Sequence, residues 1–340
     1  MSLTQSQIAK QAGVSRGTVD RVINNRGHVD PGVEKKIRRI IKKEGYHPNR
    51  ASVQLMRMKK PMRIGVLLQS VESPFMRDLL REVESVRSKM RAEGTELLVY
   101  PNQGSNVEEQ ICILNEMEDA CVDGIAVTPL EEDRICDRLR SISARIPVIT
   151  VNRDMPDSGR MCYVGQDSFQ SGCACAGLMN VLIHGHGRVL TIIGPPFNRS
   201  HQSRYDGFVR EITACYNGIE ILPAEQGYDN VRIAHNLVYK MLSEDKKING
   251  IYFAGNGQAG ACDAIRELGL KGKIHMVCHD LTEDNVSNLK DGVIDFLIDQ
   301  DVRAQAIRPL EILTDYILTG SKPDKELQLT MINYRNIYNI

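Results

Sequence analysis

The chain is 340 residues long, 42% apolar and 25% charged, ordinary values for a soluble globular protein of two or three domains. No apolar run approaches the about 18 residues of a membrane span, and the N-terminus lacks a basic-then-apolar leader, so no membrane partner and a cytoplasmic location are expected. The formal net charge of zero hides a split: residues 1–60 carry 14 Lys+Arg against 4 Asp+Glu, and the rest carry 29 against 39, which predicts a polyanion partner for the first segment alone.

The first sixty residues read as short helices. Thr4 can cap a helix that runs to about Ala12 with Ile8 and Ala9 inward, and Gly13 ends it. Val14 and Ser15 make the turn, and Ser15 caps a second helix to about Asn24 with Val19, Val22 and Ile23 as its apolar stripe. Asp30-Pro31 opens a third, a cap followed by proline at the first helical position. Its buried face is Val33, Ile37, Ile40 and Ile41, and Gly45 stops it. Two helices joined by a tight turn and braced by a third form a helix-turn-helix, whose second helix enters the DNA major groove by its N-terminal end. A basic segment over 50–60, "RASVQLMRMKK", follows.

From Met62 the rhythm changes. Apolar runs at 63–69, 96–101, 123–129, 146–152, 188–194, 248–255, 274–280 and 293–300 alternate with longer amphipathic stretches. Continuous apolar strands between helices predict parallel sheets covered on both faces. About ten strands are too many for one compact sheet, so the body is read as two doubly wound α/β lobes with a cleft between them. Ligands of such folds sit outside the carboxyl ends of the strands. Polar residues gather there: Gln69, Thr128, Asn152, Asn256, Asp280 and Gln300.

Other chemistry is sparse. None of the nine cysteines forms a C-x-x-C pair, and buried free thiols are expected rather than a metal or redox site. His184 and His186 in "HGHG" read as exposed loop residues, so no metal is assigned. The run "GNGQAG" (Gly255 to Gly260) fits the dinucleotide fingerprint, with Asp280 twenty residues beyond it. A sensor or dehydrogenase that binds NAD(H) through Gly255–Gly260 is therefore the rival reading. Otherwise no cofactor and no enzymatic activity are expected.

The chain resembles the lactose-repressor/galactose-repressor family of bacterial transcription regulators. The head resemblance rests on "IAKQAGVSRGTVDRVINN" and "VEKKIRRIIKKEGYHPNRASVQLM". The body, from about Arg63 to about Asn333, resembles the ribose-binding class of periplasmic sugar-binding proteins through "SPFMRDLLREVE", "IPVITVNRD", "YVGQDSFQSG", "SRYDGF", "AGNGQAGACDAIRELGLKG" and "HDLTEDNVSNLKDGVIDFLIDQD". The resemblance implies a DNA-binding head over 1–49, a hinge segment over 50–60 and a periplasmic-binding-protein type I-like effector and dimerisation body over 61–340. The first lobe then takes about 61–166 and 301–326, and the second about 167–300 and 327–340, with crossings near Gln166, Gln300 and Gln328. A homodimer on a two-fold-related double-stranded operator is implied, with a small molecule between the lobes controlling DNA affinity.

The resemblance places Arg16 and Gly17 at base-reading positions. Arginine grips guanine with two hydrogen bonds, whereas glycine reads nothing. Arg21 ranks with Arg16. Ser15 and Thr18 are expected at phosphates, and Thr4 is counted with this set. Asn24, Asn25, His28, Asn49 and Arg50 are expected at the backbone. Ser52 and Leu55 fall in the hinge helix, where Leu55 aligns with a leucine that wedges between base steps of the minor groove. Asp20, four residues after Arg16, either orients that arginine for guanine or accepts from a cytosine amine.

For the effector, the resemblance places Phe75 and Tyr228 at aromatic positions with Ser73 beside Phe75. Asn152, Arg153, Arg204, Asn256, Asp280 and Gln300 take the polar positions. Met76 stands where a second aromatic is usual, Asn152 where an aspartate is, and His279 where a phenylalanine is. Fewer aromatic walls and an extra titratable histidine point away from a plain pentose. A polyol, an inositol, or a phosphorylated or acidic sugar fits that change.

Overall fold

The computed structural model describes residues 4–23, 27–44, 61–196 and 198–340. The predicted hinge segment and Asn24, Asn25, Asn49, Arg50, Ser52 and Leu55 lie outside these residues.

Among the described residues three helices form the head: α1 (Gln5–Ala12), α2 (Arg16–Ile23) and α3 (Pro31–Glu44). Their ends follow local chemistry. The Thr4 hydroxyl accepts from Gln7 N (3.3 Å) while the Gln7 side chain accepts from Thr4 N (2.8 Å), satisfying two donors that a helix start leaves unpaired. Gly13 closes α1 in the left-handed region (φ 75°), where only glycine sits without strain. Ser15 Oγ accepts from Thr18 N (3.1 Å) to start α2. Asp30 Oδ1 accepts from Gly32 N and Val33 N to start α3. Ile8, Ala9, Ala12, Val19, Val22 and Ile37 form the head core, edged by Val33, Ile40 and Ile41.

The body holds two sheets. The first contains β1 (Met62–Leu68), β2 (Thr95–Pro101), β3 (Gly124–Val127), β4 (Val148–Val151), β5 (Cys162–Gly165) and β12 (Leu327–Leu329). Its order is β12-β5-β4-β3-β1-β2, all parallel. The second contains β6 (Gly187–Ile193), β7 (Ile219–Ile221), β8 (Glu225–Gln226), β9 (Ile248–Phe253), β10 (His275–His279), β11 (Phe296–Asp299) and β13 (Asn333–Arg335). Its order is β13-β11-β10-β9-β6-β7, with β8 also on β6 and β13 antiparallel. All eight predicted strands are present. Of the five that hydrophobic pattern did not single out, β7, β8, β12 and β13 are two or three residues long, too short for a period to register, while β5 is four residues long, as β3, β4 and β11 are.

Among the described residues nine α-helices clothe these sheets: α4 (Pro74–Ala92), α5 (Val107–Asp119), α6 (Asp133–Ser143), α7 (Ser168–Leu182), α8 (Arg199–Cys215), α9 (Val231–Glu244), α10 (Gln258–Glu267), α11 (Glu283–Asp291) and α12 (Val302–Thr319). Strand alternation sorts the core between faces. In β1, Ile64, Val66 and Leu68 pack with α4 and α12, while Leu67 packs with α5 and α6. In the second lobe one core holds α9, α10 and α11 and the other holds α7 and α8.

The chain passes between lobes after β5, after β11 and after β12. The third passage corrects the expected boundary at 326/327. β12 pairs with β5 in the first lobe, and only β13 pairs with β11 in the second, so the crossing falls at 330–332 rather than near Gln328. Thr330 fastens all three passages: its N–H donates to Gly165 O (2.8 Å) and its hydroxyl to Gln300 O (3.2 Å).

The cysteines are all free, but Cys112, Cys121 and Cys215 are exposed, which corrects the expectation of buried thiols. Cys162, Cys175, Cys262 and Cys278 are buried.

Candidate functional site

On the head, Ser15, Arg16, Gly17 and Arg21 are exposed along α2, and Val19 and Val22 on its other side are buried. Arg16 Nε leans back to Gln5 Oε1 on α1 (3.5 Å). Asp20, one turn further on, is half-buried and has a partner of its own. A Cβ on Gly17 would meet only Ser15 Oγ, at 3.6 Å. Packing inside the head therefore does not require a glycine there. Ser15 and Thr18 hydroxyls lie 2.9 Å apart, so the two proposed phosphate contacts already share one cap. His28 is exposed with φ 54°.

In the body, the strand ends facing the cleft carry backbone strain. Ser70 after β1 (φ 59°), Asn152 after β4 (φ 63°), Asp280 after β10 (φ 76°) and Asp301 after β11 (φ 53°) are all left-handed non-glycine residues. Asn and Asp tolerate that region best, and such residues cluster at functional sites. Tyr228 and Asp229 share it on the loop after β8 (φ 52° and 54°).

A charged cluster spans these ends. Arg153, half-buried in the first lobe, is pushed below the usual arginine range by burial, against the pull of Glu131, Asp229 and Glu72. Arg204, 4% exposed on α8, donates from Nη1 to Ala254 O (3.1 Å), and its Nε has no protein partner. Burial raises the Asp280 carboxyl, while the Arg204 charge and a hydrogen bond from Gln300 Nε2 oppose it. Burial likewise raises Asp229, opposed by a hydrogen bond from Asn256 N (2.8 Å) and by Arg153 and Arg204. Buried ions cost several kcal/mol each unless paired, so these groups are held under electrostatic tension that further polar contacts would relieve.

Sequence reasoning missed three members of this cluster. His201 Nδ1 lies 3.7 Å from Asp229 Oδ1 and is otherwise without a partner. Burial, then Arg204 and Arg153, hold His201 well below the usual histidine range. Glu131 accepts from Arg199 N across the lobes (2.8 Å). Signals were available: His201 precedes Arg204 by three residues on one helix, one helical neighbour position, and Asp229 follows Tyr228 directly. Gly194 at the end of β6 makes room for them, because a Cβ there would stand 2.1 Å from His201 Nδ1 and 2.6 Å from Asp229 Oδ1.

Other expected effector residues lie outside this charged cluster. His279 is not an added titratable wall of the cleft. It alternates with Cys278, turning like Val277 toward the α7/α8 face. There it pairs with the Tyr252 hydroxyl (3.0 Å) and Cys175 Sγ (3.6 Å). Burial, with Arg204 and His201 nearby, keeps it neutral. Met76 is 4% exposed in the first-lobe core, on one stripe with Leu79 and Val83. Gln69 is fully buried, donating to Gly104 O (2.7 Å) and accepting from Gln110 Nε2 (2.7 Å) within its own lobe. Thr128 is buried with an unpaired hydroxyl. Ser73 caps α4 without a side-chain bond, and Phe75 lies half-buried against the first-lobe core. Tyr228 is 53% exposed. Asn152 has an amide because its Nδ2 donates to Gln305 Oε1 on α12 (3.2 Å), a bond an ionised aspartate could not make.

The glycines of "GNGQAG" serve the protein's own packing. A Cβ on Gly255 would stand 2.5 Å from Gly194 N, and one on Gly260 would stand 1.9 Å from Val231 O. Gly257 starts α10 with φ 103°. The fingerprint thus has a complete explanation in close approach of β6, β9, α9 and α10. Among the described residues no group of three or more His, Cys, Asp or Glu could hold a metal ion, and no helix is long and apolar enough to cross a membrane.

Comparison with known proteins matches this division. Residues 4–49 match the model of bacterial regulatory proteins of the lacI family, and residues 64–322 match a periplasmic binding protein domain. Over 279 residues the chain is 25% identical to catabolite control protein A of Priestia megaterium, covering 79% of each chain. It is 26% identical over 271 residues to the HTH-type transcriptional repressor PurR of Pasteurella multocida, covering 79% of this chain and 78% of that one. Among solved structures, a sugar-binding protein of a Bacillus halodurans ABC transporter superposes with TM-score 0.75 at 20% identity, covering 82% of this chain and 98% of that one. A Burkholderia graminis solute-binding protein in complex with D-arabinose gives TM-score 0.75 at 22% identity, covering 82% and 96%. The capped helix-turn-helix with its exposed arginine-bearing helix lies in the part that matches the first family, and the two parallel-sheet lobes lie in the part that matches the second: the chain is a DNA-binding transcriptional regulator of the lacI family with a periplasmic-binding-protein body.

Proposed function

We propose that the protein is a bacterial, cytoplasmic repressor that acts as a homodimer and binds a two-fold-related operator under the control of a small polyhydroxylated effector, a sugar, polyol or sugar derivative. The observation that carries the effector reading is the convergence of Arg204 from α8 with Arg153, Asp229, Asn256, Asp280 and Gln300 from the strand ends and their loops. Buried donors without protein partners, such as Arg204 Nε, stand among raised carboxyls there. A ligand with many hydroxyls donates and accepts at each carbon, so it can satisfy both sets at once. Arg16 and Arg21 project from α2 as the groups that meet DNA, while Gly17 leaves one reading position blank.

The control step is closure of the lobes on the effector. The three passages fastened by Thr330 act as a common hinge, so closure turns one lobe about a fixed line. Lobe movement then biases how the two heads of the dimer are held against DNA.

A thermal-shift screen of sugars, inositols, polyols and their phosphates on the full chain tests this reading. A compound that binds the folded protein raises its melting temperature, and the same compound must then change operator affinity. No stabilising compound, or one without effect on DNA binding, counts against the reading.

A further inference from the structure

The bond between Glu131 and Arg199 joins the lobes at a distance from the hinge. Glu131 lies beyond the end of β3, and Arg199 begins α8 after β6. In the sheets, β3 stands two strands from β5, and β6 stands three strands from β11. The crossings leave from β5, β11 and β12, so this contact lies toward the open side of the cleft.

The position of the bond on α8 matters. Asn198 caps the helix from its own lobe, accepting from His201 N (3.3 Å). Glu131 reaches over from the first lobe and accepts from Arg199 N (2.8 Å). Two of the donors a helix start leaves unpaired are thus satisfied, one by each lobe. The turns that follow carry His201 and Arg204 into the charged cluster. An anionic side chain at a helix N-terminus is also favoured by the helix dipole.

We propose that Glu131 is a positioning residue for effector capture: from the first lobe it completes the N-terminal cap of α8 before any effector is bound, and so fixes the helix that presents His201 and Arg204. The inference rests on the cleft being the effector site. Its structural half does not, because the contact joins the lobes by protein groups alone. Burial raises the Glu131 carboxyl, opposed first by the Arg199 N–H and then by the Arg153 and Arg199 charges. The acid is therefore held at the contact by local bonds rather than by solvation.

The test compares wild type, E131A and E131Q in the full chain. Glutamine keeps an acceptor oxygen at the same reach, and alanine does not. Amide hydrogen exchange without any added compound should be faster in E131A over residues 198–206 and unchanged elsewhere, with E131Q near wild type. Affinity for the best compound of the thermal-shift screen should fall about tenfold to a hundredfold in E131A and about threefold or less in E131Q, with far-ultraviolet circular dichroism unchanged and the melting temperature of E131A without compound lowered by no more than about 4 °C. Wild-type exchange over 198–206 in E131A overturns the proposal, as does wild-type affinity in a folded E131A. If no compound binds wild type but exchange over 198–206 still quickens in E131A, the cap stands and the effector reading of the cleft is what fails.

Discussion

Replacing Gly207 by alanine should damage effector binding through geometry alone. Helices α7 and α8 cross with backbones almost in contact: a Cβ on Gly207 would stand 2.0 Å from Phe169 O, and one on Gly172 1.9 Å from Arg204 O. Ordinary carbon contacts are about 3.5 Å, so the helices must part by at least about 1 Å, and the obstructing atoms are backbone that cannot rotate away. Overpacking of this kind costs about 1–3 kcal/mol. Arg204 sits one turn before Gly207 and would move with the helix. A 1 Å shift takes a good hydrogen bond out of range, and a charged one is worth about 1.5–3 kcal/mol, or roughly tenfold to 150-fold in affinity. Gly177 on the same α7 is the control, because its Cβ would meet only Tyr216 Oη at 3.6 Å. Alanine there should leave binding unchanged and stabilise by up to about 1 kcal/mol through helix propensity. Urea denaturation and titration with the best screen compound measure both effects. Wild-type stability and affinity in Gly207→Ala, or equal damage from Gly177→Ala, would refute the close-packing account.

Further outcomes follow from the head and from the buried histidines. His201 and His279 have folded pKa values well below the histidine norm of 6.5. Their contribution is complete above pH 6.5 and is lost as pH falls, by up to about 1.4 kcal/mol per pH unit for each. Asp229, Asp280 and Glu131 are raised and act in the opposite sense: their contribution is complete below their unfolded values and declines as pH rises through the folded ones. Urea midpoints between pH 8 and pH 5 should therefore fall less steeply in His279→Phe than in wild type, and identical slopes would contradict a neutral buried His279. Asp20→Ser should change which duplexes are recovered from a randomised pool more than it changes total affinity; a uniform gain on all sequences would mean that the acid only repels phosphate. Thr4→Ala removes half of the capping box and should lower the head's unfolding free energy by about 1 kcal/mol, read from the low-temperature limb of a melting curve.

The helix ends of the head were written in the local sequence. Thr4 with Gln7, Gly13, Ser15 and Asp30-Pro31 act within three or four residues, so their chemistry does not wait for a tertiary partner. The eight strands read from apolar runs were legible for a related reason, since a run buried on both faces must be apolar throughout. Arg153, Arg204, Asp280 and Gln300 could be named because each stands at a strand end or on a helix matching a known pattern.

What each side chain faces was decided by the folded chain. His279 and Met76 occupy sequence positions that suggested walls of the cleft, yet strand alternation and the α4 stripe turn them into the cores. Glu131, 68 residues from Arg199 in sequence, shows no local pattern that marks it. The third crossing was misplaced because β12 is three residues long and is held in the first lobe by its partner β5. Local hydrogen bonds and periodicity belong to the sequence by itself. Contacts between residues far apart in the chain exist only when topology brings them together, and the candidate site is built mainly of such contacts.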